Sequence, residues 1–584
     1  MNRRHFLLHM QTAAVAGCTF NLVHGAAAQD LRPVQPAPPR IRVAQGEETP
    51  VVLQGLKVDA EVSGSRAITT VEMTFFNPNR RMLEGELQFP LLDGQQIVGF
   101  ALDIDGKLRD AVPVDKTTGQ QVFEDVIRTR IDPALLESAG GNNYKLRVYP
   151  LPAQGTRRVL LRYAETLKVQ GALRRYRLPL EYAKELASFQ LRVTVRAPEV
   201  APKISGMPPR GFEFKPSGID YEAEISRRDF AARGLLEVFL PASAKPEVRT
   251  QAANGKTYFL AEVPVALLAT VFTRAVPGSV GIVWDASGSG AQRDRAREFA
   301  LLDAYLKRMA NGEVRLMRVR ESAEPVETFR ITNGDWSALK RALEATSFDG
   351  ATQLGTVTFN GGVAEYLVFS DGLDNFGDQR PGPAKVPVYT INSAARADHA
   401  RLRVMAEGSG GRYIDMTAVS AADAARQLLN AVHRITGLQG EGVTALTTAS
   451  RVADAANGWR WLIAGELQGA SGTVTVHYHN PQTRISQQTL HIPVKAGENT
   501  DTQAARAWAG LRVAELDGEY RANRNEIRCL GMAFGLPSRE TSLIVLDRVE
   551  DYVRHEITPP AELRAEYDRQ RAHLHLRAID DKKK

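Results

Sequence analysis

Three short stretches of this 584-residue chain carry oxygen donors at spacings that could hold a metal ion. The first, Ser279-Val-Gly-Ile-Val-Trp-Asp-Ala-Ser-Gly-Ser289, is an apolar run that ends in a polar loop. Asp285, Ser287 and Ser289 alternate there, and all three are hard oxygen donors of the kind a divalent cation prefers. The second, Phe348-Asp-Gly-Ala-Thr352, offers the Thr352 hydroxyl. The third, Tyr366-Leu-Val-Phe-Ser-Asp371-Gly372, is another apolar run, ending in a carboxylate. Both runs are short and apolar throughout, as strands at the centre of a parallel sheet are. In an open α/β sheet the loops at the carboxyl ends of neighbouring strands meet over one crevice. Asp285 and Asp371 are therefore predicted to face each other across it, with three hydroxyls around them. D-x-S-x-S alone is a weak signal. The ordered trio, with two members at strand ends, is a strong one.

On these residues the segment resembles the von Willebrand factor type A domain and its metal-ion-dependent adhesion site. The resemblance implies Mg²⁺, or Mn²⁺ or Ca²⁺ in its place, held by Ser287, Ser289 and Thr352. Asp285 and Asp371 would act largely through water. The sixth position is left for an Asp or Glu carboxylate of a protein partner. The elements that must position these residues follow in order between 279 and 436. A helix is predicted over 291–310, with Phe299, Leu302, Leu306 and Met309 at helical spacing. Strands follow at 314–319 and 329–331, then a helix at 336–345 and a strand at 386–391. Gly408-Ser-Gly-Gly-Arg-Tyr413 resembles the family's turn into its last strand, and a closing helix is predicted over 421–435. Two features depart from the family. Ala351 replaces the glycine usual before the threonine. Gly355 to Gly362, rich in glycine and threonine, favours an abbreviated or strand-like connection where the family has a full helix.

The chain before this domain reads as strands. A proline-rich linker (29–50) leads into short strands and turns over 51–170. Asp105-Gly106 is a hairpin signal. Lys116 to Arg130 is predicted helical, with Val122, Phe123, Val126 and Ile127 along one side. Phe75-Phe-Asn-Pro78, Phe89-Pro90, Asp132-Pro-Ala-Leu-Leu136 and Tyr149-Pro-Leu-Pro152 resemble the VIT module of vault proteins and inter-alpha-trypsin inhibitors. Asp132-Pro133 reads as a turn before a short helix, with no catalytic role. A β-rich spacer is predicted over 171–278, packed as a sandwich on that module. After the type A domain come a β-rich segment (437–500) and a helical segment (501–584) with one buried strand at Thr541 to Asp547. Pro537 to Leu546 and Ile557-Thr-Pro-Pro560 resemble the tail of tandem VIT and type A proteins, similar to bacterial relatives of inter-alpha-trypsin inhibitor heavy chains. The whole is read as a multidomain α+β and α/β chain, with a doubly wound type A domain inserted into a β-rich body. The body is needed because Leu543 to Leu546 is apolar without alternation and requires cover on both faces.

The N-terminus reads as a signal peptide (1–28), excluded from the fold. Arg3 and Arg4 ahead of Phe6-Leu7 resemble a twin-arginine leader; the alternative is an ordinary secretory leader that carries two arginines. Val15-Ala-Gly-Cys18 resembles a lipobox, which would make Cys18 a lipidated terminus. Apolar character continues to Ala28, which favours cleavage there. Cys529 is then the one remaining cysteine, placed by its apolar surroundings in the core. The formal net charge of +7 is mild for this length, and no nucleic-acid module is present. No apolar run reaches the roughly 20 residues of a membrane span. His477 and His479 share a strand face and read as solvent-facing.

These features point to an exported, non-enzymatic binding protein of the periplasm or cell envelope. The alternative is a structural assembly protein with a vestigial metal site. A hydrolase is a weaker third reading, because Ser287 has no histidine predicted beside it to activate it. Replacing Arg3 and Arg4 together by lysine should retain the precursor in the cytoplasm. Cell fractionation reads the outcome, and normal export would assign the chain to the general secretory route.

Overall fold

The computed structural model describes residues 40–43, 49–128, 133–182, 185–265, 272–359, 362–374, 381–454, 458–481, 487–497, 500 and 502–583. The leader, including Cys18, and Asp132 lie outside the described residues.

Ser279–Asp285 runs through the centre of a six-stranded sheet. The strand order is Glu327–Ile331, Gly312–Val319, Ser279–Asp285, Glu365–Phe369, Val388–Asn392, Tyr413–Asp415. All pairings are parallel except that of the first two strands. Strand order reverses at Ser279–Asp285, so the crevice for a ligand opens between it and Glu365–Phe369. The sequence dictates this arrangement through burial. Glu365–Phe369 and Val388–Asn392 are buried along their whole length. Helices cover one face, and Val357, Phe359 and Val363 of the connection before Glu365–Phe369, with Met405 of helix His399–Gly408, pack on the other. Arg295–Met309 turns Leu302, Leu306 and Met309 onto the sheet; Phe299, half-buried, packs against the same core.

The helices differ from expectation at their ends. The first begins at Arg295, because Asp294 caps it by accepting from Arg297 N at 3.2 Å. Residues 289–292 form a 3₁₀ turn instead. The closing helix stops at Leu429, since Asn430 is extended and bridges to Thr273. Between Thr352 and Asp371 the described residues hold one 3₁₀ turn, Leu354–Thr356, and no α-helix.

The rest of the chain forms a β-rich body around this domain. An eight-stranded sheet joins Lys215–Ser217, Asp220–Phe230, Leu186–Arg196, Val52–Ser63, Arg66–Phe76, Thr156–Thr166, Gln95–Ile104 and Lys107–Asp110 in that order. Leu186–Arg196 pairs in parallel with Val52–Ser63, so residues 186–230 extend the first module's sheet and share its core. Leu173–Pro179, Leu235–Pro241 and Lys203–Gly206 form a second sheet with Lys168–Gln170, and Tyr176, Leu178, Leu236 and Val238 share that core, so this part of the spacer packs as a sandwich on the first module. Of the spacer's last strands, Glu247–Ala253 pairs with Lys256–Pro264, and Lys256–Pro264 pairs in turn with Arg460–Leu467 from beyond the α/β domain.

The α/β domain is an insertion, as the unalternated apolar strand near the C-terminus required. Where the chain enters and leaves, the two connections bond to each other: Arg274 N donates to Leu429 O and Ala431 N to Phe272 O, both at 2.8 Å. Thr541–Val545 returns to the N-terminal module and pairs with both Val112–Asp115 and Ala134–Ser138. Leu543 and Val545 enter the large N-terminal core, while Ile544 and Leu546 enter the core under helix Lys116–Arg128. This pairing explains two further differences. Ala134–Ser138 is a fully buried strand where a short helix was expected, because ladder partners on both sides outweigh the helical preference of Ala-Leu-Leu. Cys529 is exposed. Its helix, Tyr520–Phe534, buries only the Ile527, Gly531 and Phe534 stripe, and Cys529 lies two residues round from it. His477 is half-buried and His479 exposed.

Ile544 is fully buried between two strands. Ile544→Ala should lower stability by about 2–5 kcal/mol, read from the urea unfolding of the full chain. An unchanged midpoint would contradict the strand's place in the N-terminal sheet.

Candidate functional site

Asp285 ends the central strand, buried completely, and both of its carboxylate oxygens are engaged. Oδ1 accepts from Ser287 N at 3.0 Å, which folds the loop back onto the strand end. Oδ2 accepts from Ser370 Oγ at 2.6 Å. Ser370 Oγ in turn accepts from Gly372 N at 2.9 Å. One carboxylate thus fixes its own loop and the neighbouring strand's loop together. Ser287 Oγ lies 3.2 Å from Ser289 Oγ and 3.4 Å from Gly290 N. Asp371, almost fully buried, accepts from Leu373 N at 3.0 Å and from the Ser289 hydroxyl. Asp285, Ser287, Ser289 and Asp371 therefore form one connected cluster.

Thr352 comes from the third loop. Asp349 N donates to Ala286 O at 3.1 Å, Gly288 N to Gly350 O at 3.0 Å, and Gln353 N to Arg320 O at 2.8 Å. These bonds lay the 349–353 loop along the 286–288 loop. Thr352 is completely buried, and its Oγ1 has no hydrogen-bond partner. A buried hydroxyl left unpaired costs about 1–3 kcal/mol. Such an atom beside this cluster is what a missing ligand would leave.

The electrostatics run the same way. Burial and the adjacent Asp285 charge push the Asp371 carboxyl up to about 6, against the pull of Ser289, Leu373 N and Arg293. Arg293 is the nearest fixed cation. It is buried, donates from Nη2 to Asp285 O at 2.7 Å, and lies over the Trp284 ring at 4.6 Å. Its Nη1 is 3.6 Å from Glu298, which also accepts from Ser393 Oγ at 2.7 Å. Burial raises the Glu298 carboxyl, so Arg293 is shared among several acids rather than reserved for the cluster. A cluster of oxygen donors with two crowded carboxylates and a spare hydroxyl suits a hard divalent cation.

Sequence reasoning missed Ser370, Arg293 and Glu298. Ser370 stood in plain view beside Asp371; the signal was a hydroxyl one residue before a strand-end carboxylate. Arg293 and Glu298 carried none, since a buried arginine inside a helix-forming stretch reads as surface.

Residues 53–163 match the family model described as the vault protein inter-alpha-trypsin domain, VIT. No curated protein matches the chain. Among solved structures, the chain is similar to the ArnB paralog VWA2 from Sulfolobus acidocaldarius, at 11% identity over 56% of this chain and 93% of that one, TM-score 0.28. It is similar to a von Willebrand factor type A protein from Catenulispora acidiphila, at 13% identity over 49% and 88% of the two chains, TM-score 0.25. A pilus adhesin, SpaC from Lactobacillus rhamnosus GG, aligns at 11% identity over 43% and 48%, TM-score 0.19.

The displacement of the Asp371 carboxyl from 3.8 to about 6 corresponds to about 3 kcal/mol. A carboxyl raised in the folded state stabilises the fold below its unfolded value, and that contribution is lost as pH rises through about 6. In chelator at neutral pH, Asp371→Asn should therefore stabilise the protein, by up to about 3 kcal/mol. The gain should vanish below the unfolded value of 3.8. Unfolding curves at both pH values check this, and a gain that persists in acid would contradict it.

Proposed function

We propose that this chain is a metal-dependent protein-binding scaffold, in which a cation at the strand-order reversal captures a carboxylate of a partner protein. The observation that carries the reading is the unpartnered, fully buried Thr352 Oγ1 beside two crowded carboxylates. Ser287, Ser289 and Thr352 would hold Mg²⁺, with Mn²⁺ or Ca²⁺ as substitutes, and Asp285 and Asp371 would neutralise it through water. The cation supplies an electrophilic position for an incoming carboxylate oxygen. The chain's own part is to hold three hydroxyls in place and to set two carboxylates beside them.

A hydrolytic role is less well supported. Among the described residues Ser287 Oγ meets another hydroxyl and a main-chain amide, neither of which is the histidine-like base that nucleophilic catalysis uses. No described helix is long and apolar enough to cross a membrane. Export to the periplasm or cell envelope, with the twin-arginine pattern of Arg3 and Arg4 as its route, completes the proposal. One observation favours a second reading, structural assembly with a vestigial site: the connection after Thr352 holds only a 3₁₀ turn among its described residues.

Calorimetric titration with Mn²⁺ separates the two. Wild type should bind one ion, and Asp285→Ala should weaken binding by about 10–100-fold or more. The fold should survive, because the substitution removes one of two buried like charges. Equal affinity in both proteins would refute the site, and no binding in either would favour the vestigial reading. Crosslinking with and without chelator then tests whether partner capture needs the ion.

A further inference from the structure

The Asp371 loop rests on a segment that other modules grip. Asp398 N donates to Asp371 O at 2.8 Å. Asp398 Oδ1 also caps helix His399–Gly408, accepting from Arg401 N at 2.9 Å, and Arg401 reaches Asp374 at 2.5 Å. Residues 394–403 are thus the floor under the Asp371 side of the site.

From the N-terminal module, the turn between strands Ala134–Ser138 and Asn143–Leu151 closes on this floor. Asn142 N donates to Ala397 O and Asn142 Oδ1 accepts from Ala397 N, both at 3.0 Å. Asn142 Nδ2 donates to Ala395 O at 3.2 Å and lies 3.1 Å from His399 Nε2. Gly141 has φ +57, and a Cβ built on it would meet Ala397 O at 2.3 Å and Asp398 Cα at 2.9 Å. One turn further along the helix, Arg403 binds both oxygens of Asp93 at 2.9 Å. Burial alone would raise the Asp93 carboxyl, yet Arg403 and Lys168 hold it well below the usual range. From the C-terminal segment, Arg539 reaches Asp398 Oδ2 at 3.3 Å. Two modules distant in sequence therefore converge on the segment that supports Asp371.

We infer that the N-terminal module is an allosteric clamp on the cation site, and that its docking on residues 394–403 and cation binding strengthen each other. The inference rests on the proposed cation site. Docked, the turn and Asp93 fix the floor, so the Asp371 loop already has the arrangement the cation needs. Undocked, the loop must be ordered when the ion binds, and affinity falls by that cost. Coupling of this kind is reciprocal, with factors of about 5–150-fold. A partner that pulls the two modules apart would thus release its own carboxylate, and the ion would resist the pull.

The test uses the full chain. Gly141→Ala, a substitution outside the α/β domain, brings a methyl group to 2.3 Å from Ala397 O and 2.9 Å from Asp398 Cα, so the turn can no longer close on the floor. Gly106→Ala is the control: Gly106 also has positive φ (+81), but nothing lies within 4 Å of its Cβ position. Arg403→Met is a second variant that weakens the clamp from the other side. Mn²⁺ titration should show affinity reduced at least about 5-fold in Gly141→Ala and Arg403→Met and unchanged in Gly106→Ala. Hydrogen exchange of the Asn142 amide in wild type should slow when Mn²⁺ is added, and not in Asp285→Ala. Wild-type affinity in both clamp variants, each folded by circular dichroism, would overturn the clamp and leave the cation site standing. No Mn²⁺ binding by wild type would overturn both. If either clamp variant fails to fold, the exchange of the Asn142 amide decides, and equal exchange with and without Mn²⁺ overturns the clamp.

Discussion

Two carboxylates that cannot both be comfortable set the terms for this protein. Asp285 and Asp371 end neighbouring buried strands, and the parallel register that builds the sheet also brings them together. Burial weakens the screening of their repulsion. The chain compensates in part with Ser370, Ser287 N, Ser289 and Leu373 N, and with a buried arginine that several acids share. What remains is a raised carboxyl and a stranded hydroxyl at Thr352. A divalent cation would settle both at once, which is why the account places one there.

The same logic of unmet demand shapes the body around the domain. Thr541–Val545 is buried on both faces and cannot stand alone, so the chain's end must return to its beginning. That return makes the α/β domain an insertion with paired connections at Thr273 and Asn430. An inserted domain ordinarily moves as a unit. Here its motion is constrained at Arg403 and Asp93, and at the turn around Gly141. The cation site and the module boundary therefore share one short segment, residues 394–403.

Much of this was legible in the sequence, for physical reasons that also mark where legibility ended. Continuous apolar runs at Ser279, Tyr366 and Leu543 announced buried strands, since few other structures can hide every residue of so short a run. The glycines and threonines after Gly355 announced the missing helix. What stayed hidden depended on partners distant in sequence. Ala134–Ser138 carries helix-forming residues and becomes a strand only because Asn143–Leu151 and Thr541–Val545 pair with it. Cys529 sits among apolar neighbours, but a helix buries one stripe rather than a stretch. The spacer over 171–278 was expected to pack on the first module, but nothing local shows that Leu186–Arg196 joins that module's own sheet by pairing in parallel with Val52–Ser63. The side chains expected at the site alternate in loops at strand ends. The ones that support them, Arg293 and Glu298, do not, and only the folded arrangement reveals them.

The central claim is that the stranded hydroxyl and the crowded carboxylates belong to a cation. Anomalous scattering from crystals grown with Mn²⁺ tests it most directly. The account predicts one strong peak among Ser287, Ser289 and Thr352, at about 2.0–2.2 Å from their hydroxyl oxygens. Asp285 and Asp371 should face it through water. A map with no peak there, and Thr352 Oγ1 bonded to another protein atom, would contradict it.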